Sequence, residues 1–488
     1  MSAPALHAAP PQTSSPSGRD PAGTRTRASS FDAKLHRSYR VFYAMRQWLW
    51  RHVTPAGALL FWAMLAAGSF TDVGQTMAHQ FFGVLFSLLA VALVWVRKPK
   101  NAFAIERLQL PRYTTCLTPF TYRVRIRNLT RRWKRGTEFW EGTPDPRPTL
   151  AQFATLEEPG ESRRNWFDRR YRFYRWSWLC ERGARARLKP VPIPDVAPVS
   201  HVDLDLEILP LRRGRLTLVG AEIARLDPFA LFRRLAVVKE TAGVVRVFPR
   251  RFTLPHFDLP GASRRLQNGG VAFAGSIGDS EEFISAREYR PGDPLRRIHW
   301  AGWARAQRPV VKEFQEEYFV RHALLLDTFA HGPQLEAFEE AISLAASFAC
   351  TVDQRDSLLD LMFVGEKAYV FTGGRGVAHS EQLLEVLADV DPSPQGSIAS
   401  LESLVLNHTS QLSGCILIFL DWDESRRRLR EQLESRRVPT LTFVVLSDPS
   451  APRPDLPPGV HALPAGRVQE TLHALPRPGQ TASTTAVP

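Results

Sequence analysis

Two long stretches without Asp, Glu, Lys or Arg constrain this chain more than any other feature. The first covers the 20 residues between Arg51 and Asp72, and the second covers the 24 residues between Asp72 and Arg97. A helix of about 20 apolar residues can cross roughly 30 Å of hydrocarbon. The sequence therefore predicts a transmembrane helical hairpin over 52–96.

The charges around these stretches predict an orientation. Basic side chains flank the pair on both sides, at Lys34, Arg37, Arg40, Arg46, Arg51, Arg97, Lys98 and Lys100, whereas the connecting TDVGQTMAH has neither Lys nor Arg. Positive charge is retained on the cytoplasmic side of a membrane. We therefore expect a two-pass protein of the bacterial inner membrane, with the lipid bilayer as a partner and with both termini and all soluble domains cytoplasmic.

Alternating patterns after the hairpin predict a β-domain. In PFTYRVRIRN the arginines 123, 125 and 127 alternate with apolar side chains, and in HVDLDLEILP the acidic residues 203, 205 and 207 do the same. Such alternation is typical of half-buried strands. The outward charges of the two strands are complementary if the strands pair. With the short strands in RGRLTLVGAEI and VVRVFP, these patterns predict a β-sandwich-like domain over 101–260.

A basic and aromatic insertion over 131–190 interrupts this domain. Its segment 163–187 interleaves seven aromatic residues with nine arginines. Such a segment can stack on single-stranded nucleic acid, lie among anionic lipid headgroups, or pack locally as a solvated excursion. All three interpretations remain open on the residues alone; local packing is favoured most and nucleic-acid binding least.

The second half of the chain alternates strand and helix patterns. HALLLDT, SLLDLMFVG, AYVF, GCILIFLDW and PTLTFVVLS are apolar runs of strand length, and amphipathic helical patterns separate them. Buried strands joined by helices form a mostly parallel sheet covered on both faces. We therefore predict a C-terminal doubly wound α/β domain over 320–475. Between Arg321 and Asp448 it carries 10 Lys/Arg against 19 Asp/Glu, so it is acidic.

Composition assigns the remaining segments. Residues 1–30 are rich in Ala, Pro, Ser and Gly, and together with 476–488 they are predicted to be disordered tails. Glycines and serines predict a linker over 261–280.

Common catalytic motifs are missing from the sequence. GxxxxGK[ST], HExxH and GxSxG do not occur, and the four cysteines lie far apart. These motifs carry phosphate, zinc and nucleophile chemistry, so their absence argues against the common hydrolase and nucleotide-dependent classes. We expect a protein that is not an enzyme and has no cofactor. Asp327 and Asp421 follow buried strands and are candidates for holding a divalent metal, although aspartates at such positions commonly cap the next helix.

The connector over 281–319 contains the most unusual stretch, REYRPGDPLRRIHWAGWARAQRPVVKEFQEE. Its candidate site residues are Arg287, Glu288, Tyr289, Pro291, Gly292, Asp293, Arg296, His299, Trp300 and Arg305. In one hypothesis Glu288, Asp293 and His299 supply acid-base groups of an enzyme. The favoured hypothesis is an ion-pair clasp that joins the two soluble domains and also docks a partner.

The same connector closely resembles the signature of the uncharacterised domain-of-unknown-function family fifty-eight. RRGRLTLVG, LDPFALF and VRVFP precede it in the order seen in that family. The resemblance implies a membrane-anchored protein with a β-domain and a von Willebrand factor A-like domain. It also implies a MoxR-type AAA+ ATPase as partner. We therefore expect a non-enzymatic, membrane-anchored scaffold or adaptor in protein-complex assembly or maturation.

One departure concerns the metal. Metal-binding von Willebrand A domains carry Asp-x-Ser-x-Ser after the first strand, and the matching run here is Asp327, Thr328, Phe329, Ala330, His331. Both serines are replaced, and phenylalanine cannot ligate. The expected metal site is therefore degenerate, with Asp327 and Asp421 as its remaining candidates.

Overall fold

The computed structural model describes residues 29–69, 76–95, 102–238, 242–255, 257, 277–278, 283–291, 293, 295–314, 317–318, 320–351, 357–373, 377–447 and 456–475. Apart from a few residues at their edges, the predicted tails and the predicted linker lie outside these ranges, as does Gly292. Those predictions stay untested.

Three helices begin the described chain: α1 (Ser30–His52), α2 (Pro55–Ser69) and α3 (Thr76–Trp95). The junction between α1 and α2 lies against the β-domain, where the Thr54 hydroxyl donates to the Leu231 carbonyl oxygen at 3.0 Å. A Cβ atom at Gly57 would lie 2.2 Å from that same oxygen. Glycine is therefore required for this close approach.

The predicted transmembrane hairpin over 52–96 is wrong. Among the described residues, no helix combines the length and the apolar character needed to cross a membrane. α2 has only 15 residues, about 22 Å at 1.5 Å per residue, against roughly 30 Å of hydrocarbon. α3 carries His79 and Gln80 near its start, which leaves its apolar part, from Phe81 onwards, about as short. The two-pass location with cytoplasmic termini, which rested on the hairpin, is corrected with it.

Eleven strands and three helices follow α3 in the described chain: β1 (Phe103–Leu108), β2 (Tyr113–Thr115), β3 (Phe120–Asn128), β4 (Thr137–Trp140), α4 (Leu150–Thr155), α5 (Trp166–Tyr171), α6 (Phe173–Gly183), β5 (Ala186–Leu188), β6 (Val191–Ile193), β7 (His201–Pro210), β8 (Gly214–Leu218), β9 (Glu222–Leu226), β10 (Arg233–Val237) and β11 (Gly243–Phe248). The strands form three sheets with orders β1-β3-β7-β5, β10-β9-β4-β6 and β2-β11-β8. One apolar core contains side chains from all three sheets.

The charge complementarity predicted for two of these strands is confirmed. β3 pairs antiparallel with β7, with Arg123 opposite Asp205 and Arg125 opposite Asp203. Each pair forms an ion pair at 2.8 Å on the exposed face. The alternating Tyr122, Val124 and Ile126 side chains face the core, as the pattern predicted.

The predicted insertion over 131–190 is part of the β-domain at its start. β4 pairs with both β6 and β9, and Phe139 is buried in the shared core. The part between β4 and β5 forms α4, α5 and α6, and Phe153, Trp176 and Leu179 build a second small core there. Side chains of α1 pack against this core, which ties the first helix to the β-domain.

Short elements occupy the predicted connector: β12 (Ile277–Gly278), β13 (Phe283–Glu288), α7 (Trp300–Ala306), β14 (Val310–Phe314) and β15 (Glu317–Tyr318). β13 and β14 pair antiparallel in a two-stranded sheet. We call the described residues of 283–314 the signature arm.

The C-terminal part contains six strands and five helices: β16 (Val320–Leu326), α8 (Leu335–Thr351), β17 (Ser357–Val364), β18 (Ala368–Gly373), α9 (Val377–Asp389), α10 (Ile398–Leu406), β19 (Gly414–Phe419), α11 (Glu424–Ser435), β20 (Thr440–Leu446), β21 (Val460–Pro464) and α12 (Val468–Ala474). The strand order is β18-β17-β16-β19-β20-β21, and every pair except β17–β18 is parallel. One core lies between the sheet and α8, α9 and α12, and another lies between the sheet and α10 and α11. This arrangement agrees with the doubly wound α/β domain expected from the sequence.

Contacts between the two domains run through arginines that the sequence analysis did not single out. The buried Arg213 forms an ion pair with Glu339 of α8 and donates from Nε to the Leu387 carbonyl oxygen at 3.1 Å. Arg250 forms an ion pair with Glu340, and the Phe252 backbone N–H donates to the Ser347 hydroxyl at 2.7 Å. The β-domain thus docks on the α8 and α9 face of the six-stranded sheet.

Candidate functional site

The signature arm folds back on itself through its backbone. Glu288 lies opposite Val310, the Tyr289 N–H donates to the Pro309 carbonyl oxygen at 2.9 Å, and the His299 N–H donates to the Val310 carbonyl oxygen at 2.8 Å. Ile298 makes a bridge to Val311. The arm is therefore a hairpin whose long connection, including α7, is pinned back onto β14.

A two-pronged ion pair closes the turn of the arm. Nη1 and Nη2 of Arg287 donate to the two carboxylate oxygens of Asp293, both at 2.8 Å, and the Arg290 N–H donates to Asp293 at 2.9 Å. The hydrogen bond from Arg287, followed by that from the Arg290 backbone, lowers the pKa of Asp293 to about 2. Asp293 is therefore a permanent carboxylate near neutral pH, and it fixes the turn at Pro291.

The two carboxylates proposed for an enzyme, Glu288 and Asp293, are engaged in such pairs. Glu288 pairs with Arg308, and both side chains are exposed. The predicted clasp therefore has at least part of its ion pairs inside the arm, at Arg287–Asp293 and Glu288–Arg308, rather than between the two domains. A carboxylate with a pKa near 2 cannot serve as a general acid near neutral pH.

Two large apolar side chains of the arm are exposed, Leu295 and Trp300. Trp300 and Trp303 stack with ring centroids 5.4 Å apart at 14°. Trp300 is 67% exposed, and Leu295 is 69% exposed beside it in sequence. Of the other predicted site residues, Arg296 and Arg305 are exposed, while Tyr289 and His299 are half-buried. Sequence reasoning missed Leu295, although its place between Pro294 and two arginines marks it as an apolar residue in a polar turn.

The predicted metal candidates do not meet. Asp327 follows β16 and is completely buried, whereas Asp421 follows β19 and is exposed. Nε and Nη2 of Arg426 donate to Asp327 Oδ2 at 2.8 and 2.7 Å, and the backbone N–H groups of Phe329 and Leu420 also donate to this carboxylate, at 3.0 and 3.2 Å. A guanidinium therefore supplies the positive charge at this end of the sheet.

Phe329 and His331, which stand where metal-binding domains have serines, do not lie together at a metal site. Phe329 is buried in the core beneath α10, where a Cβ atom at Gly396 would lie 2.1 Å from its ring. His331 is exposed, and its backbone N–H donates to the Gln334 side chain at 3.2 Å. No cluster of three or more His, Cys, Asp or Glu suited to a metal occurs in the described part of the chain.

Arg426 was missed by sequence reasoning. Asp423 caps α11 by accepting the Arg426 N–H at 2.9 Å, and it also pairs with the Arg426 side chain at 2.6 Å. The cap places the arginine in the first turn of α11, over the end of β16. The available signal was an arginine three residues after Asp423, a residue type that commonly caps helices, at the start of a charged helical pattern.

The arginine and aromatic segment 163–187 is divided between packing and exposure. Arg175 is buried and pairs with Glu161, and Trp176 is buried in the small core with α1 and α4. Trp166 and Phe167 on α5 remain exposed. Local packing therefore accounts for α6, and nucleic-acid and lipid binding by the segment stay untested hypotheses.

Comparison with known proteins identifies the part of the chain that contains the arm and the α/β domain. Residues 285–449 match the model of the family described as "Protein of unknown function DUF58". This segment is similar to DUF58 domains. The family resemblance inferred from REYRPGD is confirmed over these residues, while the von Willebrand factor A-like assignment and the MoxR association stay predictions.

A relative of unknown function supports the same family. The "Uncharacterized protein YeaD" of Bacillus subtilis (strain 168) is 29% identical over 128 residues, which are 26% of this chain and 31% of that protein. The chain thus spans about a third of the length of this curated relative.

Two solved structures are examples of further matches to parts of this chain. The ASH/PapD-like domain 7 of human CEP192 matches at 11% identity with a TM-score of 0.16, over 31% of this chain and 88% of that chain. The manganese-loaded TRAP protein of Plasmodium vivax matches at 14% identity with a TM-score of 0.22, over 32% of this chain and 72% of that chain. These scores are too low to support an argument.

Proposed function

We propose that the protein is a non-enzymatic adaptor that docks a protein partner on its signature arm and acts with it in protein-complex assembly or maturation. The observation that carries the proposal is the exposed Trp300, stacked on Trp303, together with the exposed Leu295 five residues earlier in the arm. Tryptophan and arginine dominate the binding energy of protein interfaces. The arm presents both residue types on one short element.

Internal bonding of the arm supports this role. The Arg287–Asp293 fork and the backbone bonds to β14 hold the turn in one conformation before any partner binds. Pre-organised surfaces lose less conformational entropy on association, so they bind more tightly for a given area. The same ion pairs engage Glu288 and Asp293, which weighs against the enzyme hypothesis for this block.

For the partner we propose a MoxR-type AAA+ ATPase, the partner implied by the family resemblance. The α/β domain beside the arm has an excess of carboxylates, and the arm has exposed Arg296 and Arg305. Charges at the rim of an interface orient the two proteins, and a central aromatic side chain contributes affinity. The arm therefore favours a partner that has an apolar pocket for Trp300 and charges of both signs around that pocket.

Affinity capture with the full chain tests the proposal. The double variant Leu295→Ser with Trp300→Ala is compared with wild type and with Trp166→Ala, which removes a 75% exposed tryptophan from α5 instead. We expect wild type and Trp166→Ala to recover an AAA+ ATPase from cells, and the arm variant to lose about thirtyfold in affinity, the effect of removing one hot-spot residue. Equal recovery by all three proteins, or no ATPase with any of them, would refute the proposal.

A further inference from the structure

A cleft between the two domains concentrates positive charge. It has a volume of about 410 Å³, and five arginines line it together with Glu339, Asp389 and Asp391. The arginines come from the end of α6, from the start of β5 and from the turn between β7 and β8, which carries RRGR. The acidic residues come from α8, α9 and the chain just after α9.

Most of the negative charge in this cleft is already matched. Glu339 pairs with Arg213, and Asp389 pairs at 3.4 Å with Arg246, which lies on β11. Arg213 is further occupied by the Leu387 and Val390 carbonyl oxygens at 3.1 and 2.5 Å, where it stabilises the end of α9. Arg213 is therefore part of the domain interface.

The remaining arginines are in excess. Arg182, Arg185, Arg212 and Arg215 line the cleft against Asp391. Among the described residues, Arg182 Nη1 is buried and has no hydrogen-bond partner. Burial lowers the pKa of Arg182, Glu339 opposes this effect, and the neighbouring Arg212 adds to it. A guanidinium stays charged at any physiological pH, so the site holds a partly desolvated cation that lies over the Trp178 ring, 5.7 Å from its centroid, and has one nitrogen, Nη1, without a hydrogen-bond partner.

We propose that this interdomain cleft binds a small molecule through a phosphate group, with Arg182 and Arg212 as its principal ligands. Guanidinium groups donate in a fork that matches phosphate oxygens, and two or more converging forks match a dianion. The volume lies within the range of small-molecule sites and exceeds that of a single phosphate ion. Because the lining comes from both domains, bound phosphate also stabilises the interface that Arg213 holds.

The test is titration of the full chain with inorganic phosphate and with pyrophosphate, by calorimetry and by thermal unfolding, at constant low ionic strength. Sulfate, acetate and chloride serve as comparison anions. We expect binding of both phosphates, an increase in Tm with their concentration, and affinity that falls as salt is added. Arg182→Gln and Arg212→Gln are each expected to weaken this binding by about tenfold or more, the effect of one lost charge-assisted hydrogen bond.

Two further comparisons separate ligand binding from structural effects. Arg187→Gln changes an exposed arginine on β5 outside the cleft and is expected to keep wild-type affinity. Without phosphate, Arg182→Gln is expected to have a Tm equal to or above that of wild type, because it removes a desolvated charge. The proposal is overturned if neither phosphate binds folded wild-type protein at millimolar concentration, if acetate binds as well as phosphate, or if Arg182→Gln and Arg212→Gln bind phosphate like wild type.

Discussion

Replacing Arg426 by alanine should strongly destabilise the α/β domain. Asp327 is completely buried and accepts two hydrogen bonds from the Arg426 guanidinium and two from backbone N–H groups. Arg426→Ala leaves this carboxylate in the interior with its counter-charge removed. Removing one partner of a buried ion pair costs about 3–5 kcal/mol in the free energy of unfolding.

Arg427→Ala is the matched control for this change. Arg427 lies next to Arg426 on α11 and pairs with the exposed Glu424, so its loss should cost about 0–1 kcal/mol. The backbone cap from Asp423 survives both substitutions, which isolates the effect of the side chain. The free energy of unfolding is measured by urea titration of each full-length variant, followed by far-ultraviolet circular dichroism.

A double variant tests the cause of the loss. Asp327→Asn with Arg426→Met removes both charges, and neutral replacement of a buried ion pair is often close to neutral for stability. We expect the double variant to recover about half or more of the 3–5 kcal/mol of unfolding free energy that Arg426→Ala loses. If Arg426→Ala costs no more than Arg427→Ala, the buried pair does not organise this end of the sheet.

Three further outcomes follow from the same contacts. Adding Mg²⁺ or EDTA should leave the Tm of wild type unchanged, since a guanidinium already neutralises Asp327; a rise of several degrees with Mg²⁺ would contradict this. Arg213→Ala should cost about 1–3 kcal/mol in urea unfolding, because the Leu387 and Val390 carbonyl oxygens lose their buried donor at the interface, and an unchanged stability would show that the domains dock by other means. The lowered pKa of Asp293 means that its pair with Arg287 stabilises the arm above pH ~4 and is lost as pH falls towards 2. A fluorescence transition in that window should therefore be present in wild type and absent in Asp293→Asn, and identical profiles would contradict the assignment.

Local pattern was sufficient for the two long strands of the β-domain. The alternation around Val124 and Leu204 indicated which side chains point inward, and the outward charges are complementary in the register that the structure shows. The apolar runs predicted five of the six strands of the C-terminal sheet, because buried strands leave little choice of environment. The sixth strand, β21, was not predicted.

The hairpin prediction failed because a stretch without charged residues can be longer than the apolar helix that it contains. Hydropathy counted every residue between the flanking charges, but α2 stops at Ser69 and α3 begins with polar residues such as His79 and Gln80. The sequence also could not place Arg426 on Asp327 or Arg213 on Glu339, since the members of each pair are separated by about a hundred residues and meet only through tertiary packing. The charged residues of the connector were expected to form ion pairs that join the two domains. In the structure Arg287 pairs with Asp293 and Glu288 pairs with Arg308, because the turn of the hairpin brings these residues together.

Binding of a protein partner to the signature arm can be measured by peptide-resolved hydrogen exchange of the full chain, free and in complex with the captured ATPase. We expect backbone amides around Leu295, Trp300 and Trp303 to gain protection in the complex, and those around Trp166 not to. Protection confined to surfaces outside 283–314, with the exchange of the arm unchanged, would contradict it.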